Sequence, residues 1–141
     1  MQTFLPYPDF DRSARVLDNA RLGKQRVEAK QIFLALTEPE YGWKNHPATR
    51  MWRGHEGALT LYAWSITLEW KKRGCADSLL PWFEARMDEL PREAFDLPPW
   101  LGQTDFHLSH QSNLLRKAPE WYGVWGWVVP DDLPYVWPVT G

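Results

Sequence analysis

Cysteine and long apolar runs are both scarce in this sequence, and each scarcity excludes a class of protein. Cys75 is the only cysteine, so no disulfide framework can form within the chain and a reducing compartment is predicted. No stretch approaches the roughly 20 apolar residues that span a bilayer as a helix. The first twelve residues contain Asp9, Asp11 and two prolines, which is unlike a secretory signal with its basic start and apolar middle. We therefore expect a cytoplasmic protein with no membrane partner.

Aromatic residues are abundant instead. The 141 residues include ten Trp, five Tyr and six Phe, while the mean hydropathy is -0.51. Such a chain buries aromatic rings rather than long aliphatic runs, and its length suits one domain with a genuine core. No internal repeat or interdomain linker is visible. We predict a single helical domain over residues 1–141, and a monomer.

The formal net charge of -2 conceals a strong polarity along the chain. Residues 1–73 carry 12 Lys and Arg against 8 Asp and Glu, whereas residues 74–141 carry 4 against 10. The net charges of the two parts are therefore +4 and -6. A basic part of this kind can present a positive field to phosphate although the whole molecule is acidic. The alternative is that Arg12, Arg15 and residues 71–73 are simply solvated helix ends.

Hydrophobic periodicity predicts about four helices joined by loops. They are expected at residues 13–36, 58–73, 79–90 and 104–117. Residues 1–10 contain two prolines and are predicted to form an extended lead-in. The aromatic and Pro-rich tail from Pro119 is expected to wrap over the helices. The predicted fold class is therefore all-α, a compact single-domain helical fold.

The first predicted helix carries a polar cluster at helical spacing. Its members, which steps of three and four residues bring to one face, are Arg21, Lys24, Gln25 and Glu28. A neighbouring apolar stripe is expected from Val16, Ala20, Val27 and Leu34. A carboxylate among cations beside the core is suited to act as a general acid or base. The alternative is that Lys24 and Glu28 form an ordinary ion pair on a wet surface.

The fourth predicted helix presents a second set of polar groups. His107, His110, Gln111 and Leu114 share a face, which continues through Asn113 to Arg116 and Lys117. The polar groups could form hydrogen bonds between helices, or they could contact a base edge or a phosphate. Two His at i and i+3 can also ligate a metal, together with His46 and His55 elsewhere. No Glu-x-x-His pattern accompanies them, so we predict neither a metal nor another cofactor.

Aromatic residues follow the basic end of this helix. Trp121, Tyr122, Trp125 and Trp127 come directly after Arg116 and Lys117. Aromatic rings beside cations suit stacking on extruded or single-stranded bases next to phosphate contacts. The alternative is that these rings complete the hydrophobic core.

Three segments together resemble one known family. The stretch from Leu17 to Phe33, LDNARLGKQRVEAKQIF, is similar without gaps to the first helix of the pyrimidine-dimer DNA glycosylases, the family of the phage endonuclease V. Residues 72–74, Lys-Arg-Gly, resemble the basic end of that family's second helix. The stretch from His110 to Tyr122 resembles its C-terminal region, there with a few residues missing.

The resemblance implies an all-helical fold and a particular mechanism, in which Glu28 falls on the family's catalytic glutamate. The α-amino group at the start of the chain attacks C1′ of the damaged nucleotide, while the glutamate stabilises the sugar cation and moves protons. The Schiff base formed can then lead to strand cleavage by β-elimination. An α-amine, with a reference pKa near 8, is a much better nucleophile at neutral pH than an ordinary lysine. A carboxylate also stabilises a developing oxocarbenium ion.

The sequence departs from the family pattern at its N-terminus. The family uses a threonine that removal of the initiator Met exposes, whereas residue 2 here is Gln2, whose bulk disfavours that removal. We therefore predict the amine of Met1 as the nucleophile, with water as the substitute if the amine is lost. The lead-in is also longer and contains prolines, a difference that can move the terminus away from Glu28. Val27 and Gln31 replace basic DNA contacts of the family.

These considerations predict a DNA-repair glycosylase that excises a damaged or modified base from duplex DNA, with AP lyase activity as a second step. The predicted catalytic residues are Glu28 and Met1. The predicted nucleic-acid contacts are Arg21, Lys24, Gln25, Arg26, His46, His110, Gln111, Asn113, Arg116, Lys117, Trp121 and Tyr122. Two alternatives remain open at this point. One is a binding protein for nucleic acid or nucleotide on the same scaffold, and the other is a metal hydrolase that uses His107 and His110.

Overall fold

The computed structural model describes residues 1–139, and in this range the chain forms helices and connecting segments without a strand. The α-helices are α1 Phe10–Val16, α2 Asn19–Thr37, α3 Pro47–Arg50, α4 Glu56–Lys72, α5 Leu80–Glu89, α6 Thr104–Lys117 and α7 Pro119–Tyr122. Two short 3-10 helices lie at Arg92–Phe95 and Gly123–Trp125. The all-α prediction is confirmed. The described part of the chain has seven α-helices rather than about four, because α3 and α7 are too short to show a periodic pattern and the first predicted helix is divided into α1 and α2.

The predicted first helix is two helices, so its prediction as one continuous element was wrong. Leu17 and Asp18 have extended backbones, with ψ of 139° and 159°. Asp18 N–H donates to the hydroxyl of Tyr122 at 3.0 Å, and this tertiary bond lies at the break between the two helices. α1 also begins earlier than expected, because Asp9 Oδ1 accepts from the Arg12 N–H and caps it at 2.9 Å.

The predicted apolar stripe of the first helix was also wrong. Val16 is buried, but Ala20 and Val27 are exposed and Leu34 is only partly covered. The buried face of α2 is instead Leu22, Gln25, Ala29, Ile32 and Phe33, with Ala35 beside it. The buried stripe includes a glutamine, which is why a purely apolar pattern placed the face at the wrong angle.

α2 and α4 form the central helix pair. Gly23 permits their close approach, because a Cβ at this position would lie 2.7 Å from the Trp70 ring. That indole is fixed by a 2.8 Å hydrogen bond from its Nε1 to the Ala76 carbonyl. The core around the pair is aromatic, and its largest fully buried side chains are Trp52, Tyr62, Tyr122, Phe83 and Phe106.

The C-terminal tail lies along α6, as expected. Leu133 N–H donates to Ser112 Oγ at 3.0 Å, and Val136 N–H donates to Ser109 Oγ at 3.1 Å. Tyr135 and Trp137 pack against the core. The last two residues of the predicted tail and domain, Thr140 and Gly141, lie outside the described residues. Within residues 1–139, no helix combines the length and the apolar character that a membrane span requires.

Candidate active site

The N-terminal segment, residues 1–5, has no regular secondary structure; it lies against α2 and brings the start of the chain to Glu28. Gln2 N–H points at Glu28 Oε2, with 3.4 Å between nitrogen and oxygen. The Gln2 carbonyl accepts from Gln25 Nε2 at 2.8 Å, and Phe4 N–H donates to Gln25 Oε1 at 2.9 Å. The longer, proline-bearing lead-in therefore does not carry the terminus away from Glu28, since both of its prolines come after this segment.

Gln25 connects the N-terminal segment, the Glu28 carboxylate and the core. Its side chain is 1% exposed. Its Oε1 accepts from the Tyr62 hydroxyl at 2.6 Å, while its Nε2 also donates to Glu28 Oε2 at 2.9 Å. With donors at the oxygen and acceptors at the nitrogen, the amide orientation is fixed. Gln25 holds the N-terminal segment and Glu28 in place and has no free surface to offer to DNA.

The Glu28 carboxylate is held on one side and open to a cation on the other. Oε2 receives the two N–H groups just described, and Oε1 lies 3.9 Å from Lys24 Nζ, too far for a hydrogen bond. The Glu28 side chain is 13% exposed and that of Lys24 is 74% exposed. The pair is therefore not the symmetrical wet ion pair of the alternative interpretation, because the carboxylate is largely withdrawn from water.

His46 interacts electrostatically with both the chain terminus and Glu28. Burial, and then the positive charge of the N-terminal ammonium, lower the pKa of His46, while the Glu28 carboxylate opposes them. Its Nδ1 accepts from the Ala48 N–H at 3.0 Å and caps α3, so the ring proton of the neutral form lies on Nε2. The rings of Trp43 and Trp137 hold the imidazole edge-on, each at 5.9 Å between centroids.

Four of the predicted nucleic-acid contacts form a cationic cluster that reaches Glu28 through Lys24; its members are Arg21, Lys24, Arg116 and Lys117. Burial lowers the pKa of Lys117, and repulsion from Arg21, Arg116 and Lys24 lowers it further. Arg21 pairs with Asp18 at 3.2 Å. Arg116 donates to the Asp131 carbonyl at 2.9 Å, yet it and Lys117 remain exposed. Cations that repel one another across an exposed surface are suited to an anionic ligand.

Arg26 is separated from this cluster. It forms an ion pair with Asp77, whose side chain is fully buried, and its guanidinium lies 4.7 Å over the Trp70 ring. Burial raises the pKa of Asp77, but hydrogen bonds from the N–H groups of Leu80 and Leu79 and from Arg26 leave it below its usual value. Arg26 thus joins α2 to the segment between α4 and α5.

The polar side chains of α6 bind the backbone of the N-terminal segment and of Pro6. Leu5 N–H donates to His110 Nδ1 at 2.9 Å, and the Leu5 carbonyl lies 2.8 Å from His107 Nδ1. Gly102 N–H donates to His107 Nε2, so His107 Nδ1 is the donor to Leu5. Gln111 Nε2 donates to the Pro6 carbonyl at 2.9 Å.

His110 is neutral, and three of the four ring nitrogens of His107 and His110 are occupied by backbone hydrogen bonds. Burial, and then repulsion from His107, lowers the pKa of His110 to about 3, and the Nε2 atom of His110 has no hydrogen-bond partner in the described part of the chain. Both Nδ1 atoms and Nε2 of His107 are taken up by backbone groups. No group of three or more metal-ligating side chains occurs among residues 1–139.

The remaining predicted contacts divide by exposure. Asn113 is buried and binds the carbonyls of Ser109 and Leu133 through Nδ2. Tyr122 is fully buried, donates its hydroxyl to Asp18 and stacks on Trp127 with 5.6 Å between centroids. Trp121 bonds the Val16 carbonyl at 2.8 Å but leaves 39% of its surface exposed.

Sequence patterns did not reveal two residues that build the site. Tyr62 lies within the second predicted helix and was not assigned to the site, yet its hydroxyl bonds both Gln25 Oε1 and the Phe4 carbonyl. Asp18 was not singled out, although it links Arg21 to Tyr122. The contacts of Tyr62, and that of Asp18 with Tyr122, join positions distant in sequence, for which no local spacing is a signal. The i,i+3 spacing of Asp18 and Arg21 is the one local signal that was available.

Comparison with known proteins identifies the family. A family model described as pyrimidine dimer DNA glycosylase matches residues 1–94. This range contains the N-terminal segment, Gln25, Glu28 and helices α1 to α5. Neither the curated proteins nor the solved structures contain a significant match. Because the match covers 94 of 141 residues, two thirds of the sequence, the chain belongs to the pyrimidine dimer DNA glycosylase family.

Proposed function

We propose that the protein excises damaged pyrimidines from duplex DNA by attack of its N-terminal amine, with Glu28 as the catalytic carboxylate. The observation that carries the proposal is the contact of the Gln2 N–H with Glu28 Oε2 at 3.4 Å. It holds the first residue within one peptide unit of a carboxylate that is 13% exposed. The effect of both the ammonium and Glu28 on His46 supports the same arrangement.

In the proposed step, the amine lone pair forms a bond to C1′ while the bond from C1′ to the base nitrogen breaks. The electron pair of the broken bond leaves with the base, which takes up a proton. Glu28 stabilises the positive charge that develops on the sugar and accepts a proton from the attacking amine. Ring opening of the sugar then gives a Schiff base, from which β-elimination cleaves the strand as an AP lyase.

We assign the phosphate contacts to the cationic cluster of Arg21, Lys24, Arg116 and Lys117. A bound phosphate would relieve the repulsion that lowers the pKa of Lys117. Trp121, four residues after Lys117, is 39% exposed and is assigned to stacking or edge contact with DNA. His46 interacts electrostatically with the N-terminal ammonium and Glu28 and is assigned to the substrate side of the site.

The buried members of the predicted site are better suited to positioning. Gln25 and His110 bond the N-terminal segment, and Gln111 bonds Pro6 directly after it. Asn113 bonds the tail and Tyr122 bonds Asp18. We propose that they hold the amine at Glu28 without touching DNA, and that Arg26 has a structural role. The monomeric state and the cytoplasmic location remain predictions.

Borohydride trapping tests the proposal. Protein is mixed with duplexes that carry a cyclobutane dimer, an abasic site or no lesion, and the adduct is located by intact mass and peptide mapping. We expect an adduct at residue 1 on the two damaged duplexes. Glu28→Gln should lower its rate of formation by about 100-fold or more, with binding largely retained. Glu38→Gln, at the exposed C-terminal end of α2, is the matched control and should react like wild type.

Three results would contradict parts of the proposal. An adduct on Lys24 or Lys30 would make the assignment of the nucleophile wrong. Excision without any adduct would indicate attack by water. Tight, salt-sensitive binding with neither adduct nor excision would favour a binding protein that has kept the scaffold.

A further inference from the structure

A concave surface lies outside the candidate active site, between α1, the end of α4 and the 3-10 helix that follows α7. We call it the α1–α4 groove. Its lining residues are Tyr7, Arg12, Arg15, Val16, Glu69, Lys72 and Trp125, and its volume is about 460 Å³.

One wall of the groove is cationic. Arg12, Arg15 and Lys72 are all exposed. The carboxylate in the lining, Glu69, accepts from Arg73 Nε at 2.8 Å, so its charge is compensated by a residue outside the lining. Arg12 is further ordered by its position 3.9 Å over the Tyr7 ring. The groove therefore combines a positive surface with fixed geometry.

The other wall is an exposed apolar turn. Trp125 is 41% exposed, and its neighbours Val124 and Val128 are 76% and 96% exposed. Gly126, with φ of 74°, provides the left-handed position on which the turn depends. The turn is held at Tyr7, whose hydroxyl accepts from Trp127 Nε1 at 2.7 Å. Exposed apolar side chains on a rigid turn beside cations are suited to a nucleotide, which offers a ring face and a phosphate together.

The groove is linked to the candidate active site through Val16 and the start of α2. Val16 lines the groove, and the Val16 carbonyl accepts from Trp121 at 2.8 Å. α2 begins three residues later, and Glu28 lies about 13 Å along α2 from its first residue at a rise of about 1.5 Å per residue. Since 13 Å is about four base-pair steps of 3.4 Å, a duplex bound at Glu28 is long enough to reach a flanking site near the start of α2.

We propose that the α1–α4 groove binds a nucleotide that flanks the damaged base, with its phosphate held by Arg12, Arg15 and Lys72 and its base packed against Trp125. The inference rests on the proposed function in taking DNA as the ligand. Trp125 lies outside the residues that the family model matches, so the groove is assigned from the sequence and the geometry of this chain.

The test measures binding of a fluorescein-labelled 25-base-pair duplex with a central cyclobutane dimer, at several salt concentrations. The double variant Arg15→Gln/Lys72→Gln should lower the slope of log Kd against log salt by about two, one for each lost phosphate contact. Trp125→Leu should weaken binding about 5-fold to 100-fold through lost stacking. Lys71→Gln, exposed on α4 but outside the groove lining, is the matched control and should lower neither quantity. The single-turnover excision rate of Lys71→Gln should also equal that of wild type.

The outcomes separate this inference from the proposed function. Unchanged slope and affinity in the groove variants, with excision still abolished by Glu28→Gln, would overturn the groove and leave the function intact. Lost binding in those variants, in a protein that excises nothing, would support the groove and overturn the function. Thermal melting of each variant identifies a loss of binding that comes from unfolding, and Arg12→Gln then repeats the slope measurement with a single surface change.

Discussion

At the scale of single residues, His110 is where pH should act most strongly on stability. The folded protein holds the pKa of His110 at about 3 and lowers that of His107 as well. The unfolded chain takes up these protons near pH 6.5, so a falling pH stabilises the unfolded state relative to the folded state. The stabilisation is fully present above pH 6.5 and is lost progressively toward pH 3. In urea denaturation, we expect the free energy of unfolding to fall below pH 6.5 by up to about 1.4 kcal/mol per pH unit for each group.

His110→Asn separates this effect from packing. An Asn oxygen can accept the Leu5 N–H in place of Nδ1, but it does not titrate. The variant should be less stable at pH 7 because the shorter side chain leaves a cavity, yet its stability should fall less steeply below pH 6.5. Equal slopes for the two proteins would contradict a neutral, buried His110.

At the scale of helices, the α2–α4 contact depends on Gly23. Gly23→Ala should destabilise the protein by about 1–2 kcal/mol, although alanine favours a helix by about 1 kcal/mol over glycine. The reason is that the new Cβ would lie 2.7 Å from a Trp70 ring that its own hydrogen bond fixes. Thermal and urea unfolding measure the change.

Gly42→Ala is the control for this prediction, because nothing lies within 4 Å of a Cβ at Gly42. It should leave stability within about 0.5 kcal/mol of wild type. Trp70→Leu combined with Gly23→Ala should recover part of the loss, since residues in contact give non-additive effects. A Gly23→Ala protein as stable as wild type would show that the helices can separate at no cost.

At the scale of the whole molecule, the distribution of charge should govern DNA binding more than the net charge of -2 does. The cationic cluster has four members, so the slope of the logarithm of the association constant against log salt should be negative, with a magnitude of at least about 4. Affinity for a dimer-containing duplex should then fall roughly 100-fold between 50 and 200 mM salt. Fluorescence anisotropy gives the slope directly.

Variants at two cations check this expectation. Lys117→Gln should reduce the size of the slope by about one. Arg86→Gln, which removes a cation that pairs with Glu89 on α5, should leave it unchanged. A slope close to zero in the wild-type protein would contradict phosphate contacts at the cluster.

Much of the fold followed from local patterns, and the failures have local causes too. α4 and α6 were predicted within two residues at either end, because their periodic apolar positions and basic last turns are properties of the segments themselves. The break at Asp18 was missed, since it accompanies a hydrogen bond to a tyrosine 104 positions away. The stripe through Val27 was misplaced because Gln25, a polar residue, occupies the buried face.

The sequence by itself determined the all-α class, the face on which Glu28 lies and the resemblance to a glycosylase family, because spacing and motif are readable within one segment. Only the tertiary structure decided that the Gln2 N–H contacts Glu28 and that Gln25 and His110 bind the N-terminal segment. It also decided that Arg26 lies apart from the cationic cluster. Those facts depend on how distant segments pack. The direction of a polar side chain follows from the partner that satisfies it when buried, and that partner is set by the fold.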